Sequence, residues 1–195
     1  MRPVSSRSFI AIALLLVVCT VAVELWMGRL VLGPDGRFAI WESDIWSAAM
    51  SQRFADPYSI SHILHGVLFY AALWLVAPKL PLSTRALAAV LLECAWEVLE
   101  NSPLIIERYR TVTISLGYEG DSIVNSLGDV VMMAIGFALA ARLRVWQSIL
   151  FVALAELIML VWLRDNLTLN IIMLVHPIDA IRDWQMAAAP AALPH

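Results

Sequence analysis

The sequence is short of charge. Only 15% of its 195 residues are Asp, Glu, Lys or Arg, whereas 61% are hydrophobic; a soluble domain averages about 25% charged residues. The formal net charge is −3, and no basic run is interleaved with aromatic residues. We therefore expect no nucleic-acid partner, since binding to phosphates depends on clustered Lys and Arg. The apolar residues form long blocks, which indicates an integral membrane protein with membrane lipids as partners.

Cysteine and catalytic motifs are also scarce. Cys19 and Cys94 both lie in apolar blocks, so we interpret them as small buried side chains rather than as a disulfide or a metal knuckle. The sequence contains no H-E-x-x-H and no serine-nucleophile motif, which is evidence against the enzyme classes that those motifs define. No internal repeat is visible, so an inverted-repeat transporter is not suggested.

Five apolar blocks predict an all-α bundle of five transmembrane helices. Each is long enough to cross most or all of the roughly 30 Å of hydrocarbon as an α-helix. The predicted spans are residues 9–30, 59–77, 86–100, 122–141 and 145–163. The first resembles a signal peptide without a convincing cleavage site, so we predict an uncleaved span. The third is interrupted by Glu93 and Glu97, but the charge pattern of the loops requires it.

Loop charge predicts the orientation. Basic residues without any acidic residue mark one side of the membrane, namely Arg2, Arg7, Lys79, Arg85, Arg142 and Arg144. The opposite side carries both signs. The positive-inside rule then predicts a multi-pass protein of the cell inner membrane with a cytoplasmic N-terminus and a periplasmic C-terminus.

Two segments on the predicted outer side are not spans. Residues 33–58 are interpreted as a loop, with room for a short helix. Residues 166–186 are predicted to be helical, with a break at Pro177 and a second, interfacial helix after it. We predict one transmembrane domain over residues 1–186 and a disordered tail over residues 187–195.

Three predicted spans carry polar side chains near their outer ends. On each span these side chains share one helix face: His62 and His65 on the second, Glu93, Glu97 and Glu100 on the third, and Asp121, Asn125 and Asp129 on the fourth. Counted at 1.5 Å per residue, most of them lie roughly 4–12 Å below the outer surface. A charged side chain at mid-membrane costs about 2.5–3.5 kcal/mol on insertion scales. Their common depth therefore predicts an outward-facing intramembrane site, with Asp121 as a cap or rim residue.

Residue types suggest roles within this site. The candidate catalytic residues are Glu97, Asp129, Glu93 and Glu100. The candidate substrate-binding residues are Arg108, Arg110, Asn125, Asp121 and Ser126; the two arginines lie in what we interpret as the loop between spans three and four. His62 and His65 are candidate ligands of a divalent metal, together with Glu97 and Asp129. A bound metal would lower the pKa of its water, with Glu93 or Glu100 as base.

The same polar residues also have structural interpretations. The cluster is also compatible with a structural network that locks three helices together. Glu24 and Glu156 have no ionisable neighbour at helical spacing, so we interpret each as a helix–helix hydrogen-bonding residue, and His176 as structural.

Two resemblances carry further expectations. His65, Glu97, Arg108 or Arg110, Asp121, Asn125 and Gly128 resemble the motif residues of VanZ-like membrane proteins, over about residues 59–141. Glu100 stands where that family has glutamine, and S-H-I-L-H stands where it tends to have D-K-x-x-H. VanZ-like relatives are associated with glycopeptide resistance, so this resemblance implies an envelope role by analogy.

The second resemblance covers nearly the whole chain. ENSPLIIERYR, GYEGDSIVNSLGD and RDNLTLNIIMLVHPIDAIRDWQ are similar to a family of uncharacterised alphaproteobacterial multi-pass inner-membrane proteins. This implies location and topology and brings no established activity. The function hypothesis is thus an enzyme that acts on a lipid or lipid-linked envelope substrate. The alternatives are a non-catalytic envelope-ligand binding or accessory protein, a scaffold, and, more weakly, a transporter.

Overall fold

A computed structural model describes residues 3–190, which form eight α-helices and no strand. In chain order they are α1 (Ser6–Trp26), α2 (Ser59–Val76), α3 (Leu82–Glu100), α4 (Pro103–Val112), α5 (Ile123–Ala140), α6 (Val145–Leu163), α7 (Leu167–Val175) and α8 (Asp179–Met186). The predicted all-helical class is confirmed for this part of the chain. Arg2 and residues 191–195 of the predicted tail lie outside the described residues.

Within the described residues, four helices are long and apolar enough to cross a membrane, namely α1, α2, α5 and α6. α3 has the length of a span, with 19 residues, but Arg85 and three glutamates lower its apolar content. Its crossing stays a prediction, as does the count of five spans. α1 ends at Trp26 rather than near residue 30, because the chain turns at Gly28, where φ is +85°.

α2 and α5 are parallel neighbours with little space between them. The ring of Tyr70 packs on that of Phe137, one turn beyond the point where Gly66 faces the backbone of Met133. The paired residue numbers rise together, so the two helices run in the same direction. A Cβ on Gly66 or Gly136 would collide with the backbone of the other helix, so both glycines permit the close approach.

The other long helices pack around this pair. α3 contacts α1, α2 and α5, and α6 contacts α2. Much of the surface of α1 and α6 is apolar and exposed, including Leu14, Leu15, Val18, Ile149, Leu157 and Val161. Helices that face lipid are expected to have such surfaces.

Residues 103–112 form a helix, so our interpretation of this segment as part of a loop is wrong. Ser102 accepts a hydrogen bond from the N–H of Ile105 and caps the helix, and Pro103 occupies its first turn, a position that proline favours. Residues 33–58 contain no helix; one isolated bridge joins Trp41 to Ala55.

α7 and α8 cover the end of the bundle where α2 begins. Glu156 of α6 accepts hydrogen bonds from the N–H groups of Leu167 and Thr168, each at 3.1 Å, so this carboxylate caps α7. Glu156 therefore makes a helix–helix hydrogen bond, as interpreted from sequence, and its partners are backbone groups of α7 rather than side chains of another span. The buried Gln185 of α8 donates to Asp165 at 2.9 Å, which docks α8 against the start of α7.

Candidate functional site

A cavity of about 1070 Å³ lies at the end of the bundle where α2 and α5 begin and α3 ends. The segment 28–58, α4, the segment 113–121 and α7 complete its wall. Polar groups line one part: Asp56, Tyr58, His62, His65, Glu100, Tyr109, Asp121, Asn125 and Asp129. Apolar side chains line another: Leu68, Phe69, Leu92, Leu99, Ile171 and Leu174. The cavity is thus large and amphipathic, at the upper end of ligand-site volumes.

His62 joins three helices at the floor of this cavity. Its Nδ1 lies 2.6 Å from Oε1 of Glu93 and 3.5 Å from Oε1 of Glu97. Its Nε2 lies 3.8 Å from Oδ2 of Asp129 on α5. Glu93, Glu97 and Asp129, which helical spacing and depth placed near the histidines from sequence, therefore lie within 4 Å of His62.

His65 lies one turn further along α2 and shares a partner with His62. Its Nδ1 lies 3.1 Å from Oε2 of Glu93, so the two oxygens of that carboxylate face two imidazoles. The ring stacks on Phe69 at 5.7 Å between centroids and meets the edge of Trp96 at 5.8 Å. These aromatic neighbours fix the plane of the imidazole beside the cavity.

Glu93 and Glu97 lie behind the cavity wall, and both are 0% exposed. Neither oxygen of Glu97 has a hydrogen-bond partner among the described residues. A buried carboxylate without partners is costly, because burial removes water that nothing replaces. Glu97 is therefore the most poorly satisfied polar group of the site.

Asp121 is buried rather than at the rim, and it does not cap α5. Ser122 provides the cap by accepting from the N–H of Asn125. Asp121 accepts from Nδ2 of Asn101 at 2.9 Å and from the hydroxyl of Tyr118 at 3.0 Å. Asp121 is 7% exposed, and burial raises the pKa of its carboxyl group.

Asn125 holds the start of α2 rather than facing only the cavity. Its Nδ2 donates to the carbonyl oxygen of Arg53 at 2.8 Å and to Oδ2 of Asp56 at 3.4 Å. Asp56 in turn accepts from the N–H of Tyr58 at 2.7 Å. Burial raises the pKa of Asp56 to about 6 in spite of these hydrogen bonds.

Arg108, Arg110 and Ser126 do not line the cavity. Nε of Arg108 donates to the carbonyl oxygen of Leu174 at 2.8 Å, which ties α4 to α7. Arg110 donates to the carbonyl oxygen of Tyr118. Ser126 is buried beside Glu24 of α1. Among the arginines that the structure describes, Arg29 is the one that lines the cavity, and its guanidinium donates to the carbonyl oxygen of Glu119.

Sequence reasoning missed several polar residues of this region. Asp56 precedes α2 and Asn101 ends α3, and polar residues at helix ends are a signal that could have identified both. Glu24 is 0% exposed and lies beside Ser126. Sequence analysis had assigned Glu24 to a helix–helix contact but could not name this neighbour, because it comes from a distant helix.

Comparison with known proteins identifies the family. The family described as "Protein of unknown function (DUF2585)" matches residues 24–187. A UPF0314 protein of Paracoccus denitrificans is 50% identical over 163 residues, which cover 84% of each chain. A UPF0314 protein of Sphingopyxis alaskensis is 44% identical over 180 residues, covering 92% of this chain and 96% of the relative. No solved structure matches the chain.

The chain therefore belongs to the DUF2585 family, with UPF0314 relatives in alphaproteobacteria. This confirms the family that the three quoted motifs predicted. The resemblance to VanZ-like proteins rests on the motif residues alone.

Proposed function

We propose that this protein is an inner-membrane enzyme whose cavity faces outward and acts on a lipid or lipid-linked envelope substrate. The observation that carries this proposal is the amphipathic cavity with His62 and Asp129 on its floor. The proposal includes five spans, a cytoplasmic N-terminus and a C-terminus outside, as the loop charges predict.

The lining of the cavity supports an amphiphile as substrate. Leu68, Phe69 and Leu92 offer an apolar surface against which an acyl or prenyl chain can be buried. Glu100, Asp129 and the two histidines offer hydrogen-bonding groups on the same cavity. A molecule with an apolar tail and a polar head group matches both surfaces, whereas a small polar metabolite matches only one.

The arrangement of carboxylates supports acid–base chemistry at the head group. Glu100 and Asp129 line the cavity, so they are the carboxylates that can exchange a proton with a substrate or a water. Glu93 and Glu97 are fully buried beside the histidines and act as positioning residues. The reaction class that fits is hydrolysis or transfer at an ester or phosphoester linkage, which needs one group to deprotonate a nucleophile and another to protonate a leaving group.

Purified full-length protein in liposomes made from total lipids of an alphaproteobacterial envelope tests this activity. Mass spectrometry before and after incubation should show one lipid species consumed and a product formed. Asp129→Asn and Glu100→Gln should each lower the rate by about 100-fold or more. The matched control is Glu107→Gln, since Glu107 is an exposed glutamate of α4 outside the cavity lining, and it should keep the wild-type rate.

Other results of this liposome assay would distinguish an enzyme from a binding or accessory protein. A lipid that co-purifies with the protein but is never converted would identify a binding or accessory protein and overturn the enzyme. An unchanged lipid profile with no retained lipid would remove the lipid substrate altogether.

The orientation of the protein in the membrane is tested by a separate experiment. Cysteine labelling in intact spheroplasts would use a background in which Cys19 and Cys94 are replaced. An impermeant maleimide should label Glu119→Cys and not Lys79→Cys, since these exposed residues lie on opposite predicted sides. The reverse pattern would show that the cavity faces the cytoplasm.

A further inference from the structure

Four side chains from two neighbouring helices meet at the cavity floor, two of them lining the cavity and two lying behind its wall. His62 and His65 come from one face of α2, and Glu93 and Glu97 come from one face of α3. Ligand atoms of His62, His65 and Glu93 all lie within 4.8 Å of one another. We name these four residues the α2–α3 cluster.

The spacing within the cluster suits a small cation. The N···O distances that join the two helices are 2.6, 3.1 and 3.5 Å. The edge of a tetrahedron with metal–ligand bonds of about 2.0–2.1 Å is roughly 3.3 Å. Small side-chain adjustments would therefore let both imidazoles and a carboxylate point at one ion between α2 and α3.

The charge of the cluster also favours a bound cation. Glu93 and Glu97 are both 0% exposed. Within residues 3–190, the ion pairs of these two carboxylates are with histidines only, and no Arg or Lys reaches them. Both oxygens of Glu97 are buried without a hydrogen-bond partner, and one lies 3.5 Å from Nδ1 of His62. A divalent ion would balance two carboxylates and provide the missing partner for Glu97.

The types of ligand narrow the choice of metal. Two imidazoles with carboxylate oxygens suit Zn²⁺ and neighbouring first-row transition metals. Mg²⁺ and Ca²⁺ prefer oxygen ligands throughout. His62 and His65 also line the cavity, so an ion bound to them would be accessible to a substrate or a water there.

We propose that the α2–α3 cluster binds one divalent transition-metal ion of the zinc class, with His62, His65 and Glu93 as ligands and the Glu97 carboxylate completing the charge balance. This differs from the ligand set expected from sequence, because Asp129 lies on the Nε2 side of His62, 3.8 Å away. Asp129 remains free to face the substrate. This metal site is a proposal separate from the enzymatic function, because metal binding can be measured without any substrate or turnover.

Metal content of the purified full-length protein in detergent tests the proposal. Elemental analysis should find about one equivalent of zinc or a related metal per chain, as for a single mononuclear site. After chelation, Zn²⁺ should rebind in competition with a chromophoric chelator. His65→Ala and Glu93→Gln should abolish tight binding, and Glu97→Gln should weaken it by about 10–100-fold, as is typical of residues that support a metal site.

Matched controls come from the same chain. His176 is an exposed histidine between α7 and α8, and Glu107 is an exposed glutamate of α4. His176→Ala and Glu107→Gln should therefore keep the wild-type metal content. Variants of the cluster that bind zinc like the wild type would overturn the assignment.

A second measurement, on the wild-type protein, tests the metal site even if the variants do not fold. Co²⁺ added to the chelated wild-type protein should give visible absorption bands of a four- or five-coordinate site, and X-ray absorption of the zinc form should show imidazole scattering. A wild-type protein without metal that neither binds Zn²⁺ saturably nor gives these bands would exclude the site. Such a failure would leave the lipid assay unaffected, so the two proposals fail separately.

Discussion

Nδ1 of His62 lies 2.6 Å from Oε1 of Glu93, and this contact joins α2 to α3 inside the bundle. Because Glu93 is fully buried, its loss would leave two imidazoles without their acceptor. We expect Glu93→Gln, measured with a chelator present, to lower the free energy of unfolding by about 1–3 kcal/mol. Glu93→Leu should cost about 3–5 kcal/mol, since it breaks a buried charged pair outright.

Unfolding in detergent by SDS titration, followed by circular dichroism, measures both values. The exposed Glu107→Gln serves as reference and should change stability by no more than about 0.5 kcal/mol. A Glu93→Leu protein as stable as the wild type would mean that the contact contributes nothing to the fold.

Gly66 and Gly136 set the distance between α2 and α5. A Cβ on Gly66 would meet the carbonyl oxygen of Met133, and one on Gly136 would meet that of Ile63. Since both obstacles are backbone, the helices must separate, and we expect Gly66→Ala and Gly136→Ala each to cost about 1–3 kcal/mol or more. The control is Gly117→Ala, because a Cβ there has no neighbour within 4 Å.

The same SDS titration checks this prediction. Equal midpoints for Gly66→Ala and Gly117→Ala would contradict close packing of α2 on α5.

The sequence predicts the helices of this protein better than their side-chain partners. Long apolar blocks identify α2, α5 and α6 almost to the residue, because nothing else in a sequence resembles a 19-residue apolar run. The proximity of a histidine of α2 to carboxylates of α3 and α5 also follows from helical period and depth, but the depth count indicated His65, whereas His62 is the histidine near Glu97 and Asp129. The apolar blocks and the helical period are both visible within a short stretch of sequence.

Partners that come from distant segments could not be predicted. Arg108 was expected to bind a ligand beside the carboxylates, but a carbonyl group at the end of α7 accepts its hydrogen bond. Residues 103–112 were interpreted as part of a loop, although Ser102 and Pro103 are typical of a helix start. A long side chain can reach several acceptors, and only the packing of α7 against α4 selects one.

Asp165 predicts a pH dependence of stability. It accepts from Tyr58 and Gln185, each at 2.9 Å, and burial raises its pKa from 3.8 to about 6. A carboxyl whose pKa is raised on folding stabilises the fold below its unfolded pKa and loses that contribution as pH rises through the folded pKa. The free energy of unfolding should therefore fall between about pH 4 and pH 6, by up to roughly 2–3 kcal/mol from this residue.

Thermal melts at several pH values test the sign. Asp165→Asn keeps one acceptor but does not titrate, so its melting temperature should depend less on pH over this window than that of the wild type. Asp179→Asn is the matched control, because Asp179 is exposed at the start of α8. An Asp165→Asn profile parallel to the wild type would show that other groups, such as Asp56, carry the dependence.

Substitution of Arg108 tests whether the arginines of α4 have a structural role or bind a ligand. Its Nε donates to the carbonyl oxygen of Leu174 at 2.8 Å, and α7 lines the cavity through Ile171 and Leu174. Loss of one such hydrogen bond costs about 1 kcal/mol, so Arg108→Ala should speed amide exchange in α7 by about fivefold. Because Arg110 donates to the segment 113–121 instead, Arg110→Ala should speed exchange there and leave α7 unchanged. Hydrogen exchange by mass spectrometry resolves both peptides, and unaltered exchange in α7 of Arg108→Ala would show that this hydrogen bond does not stabilise α7.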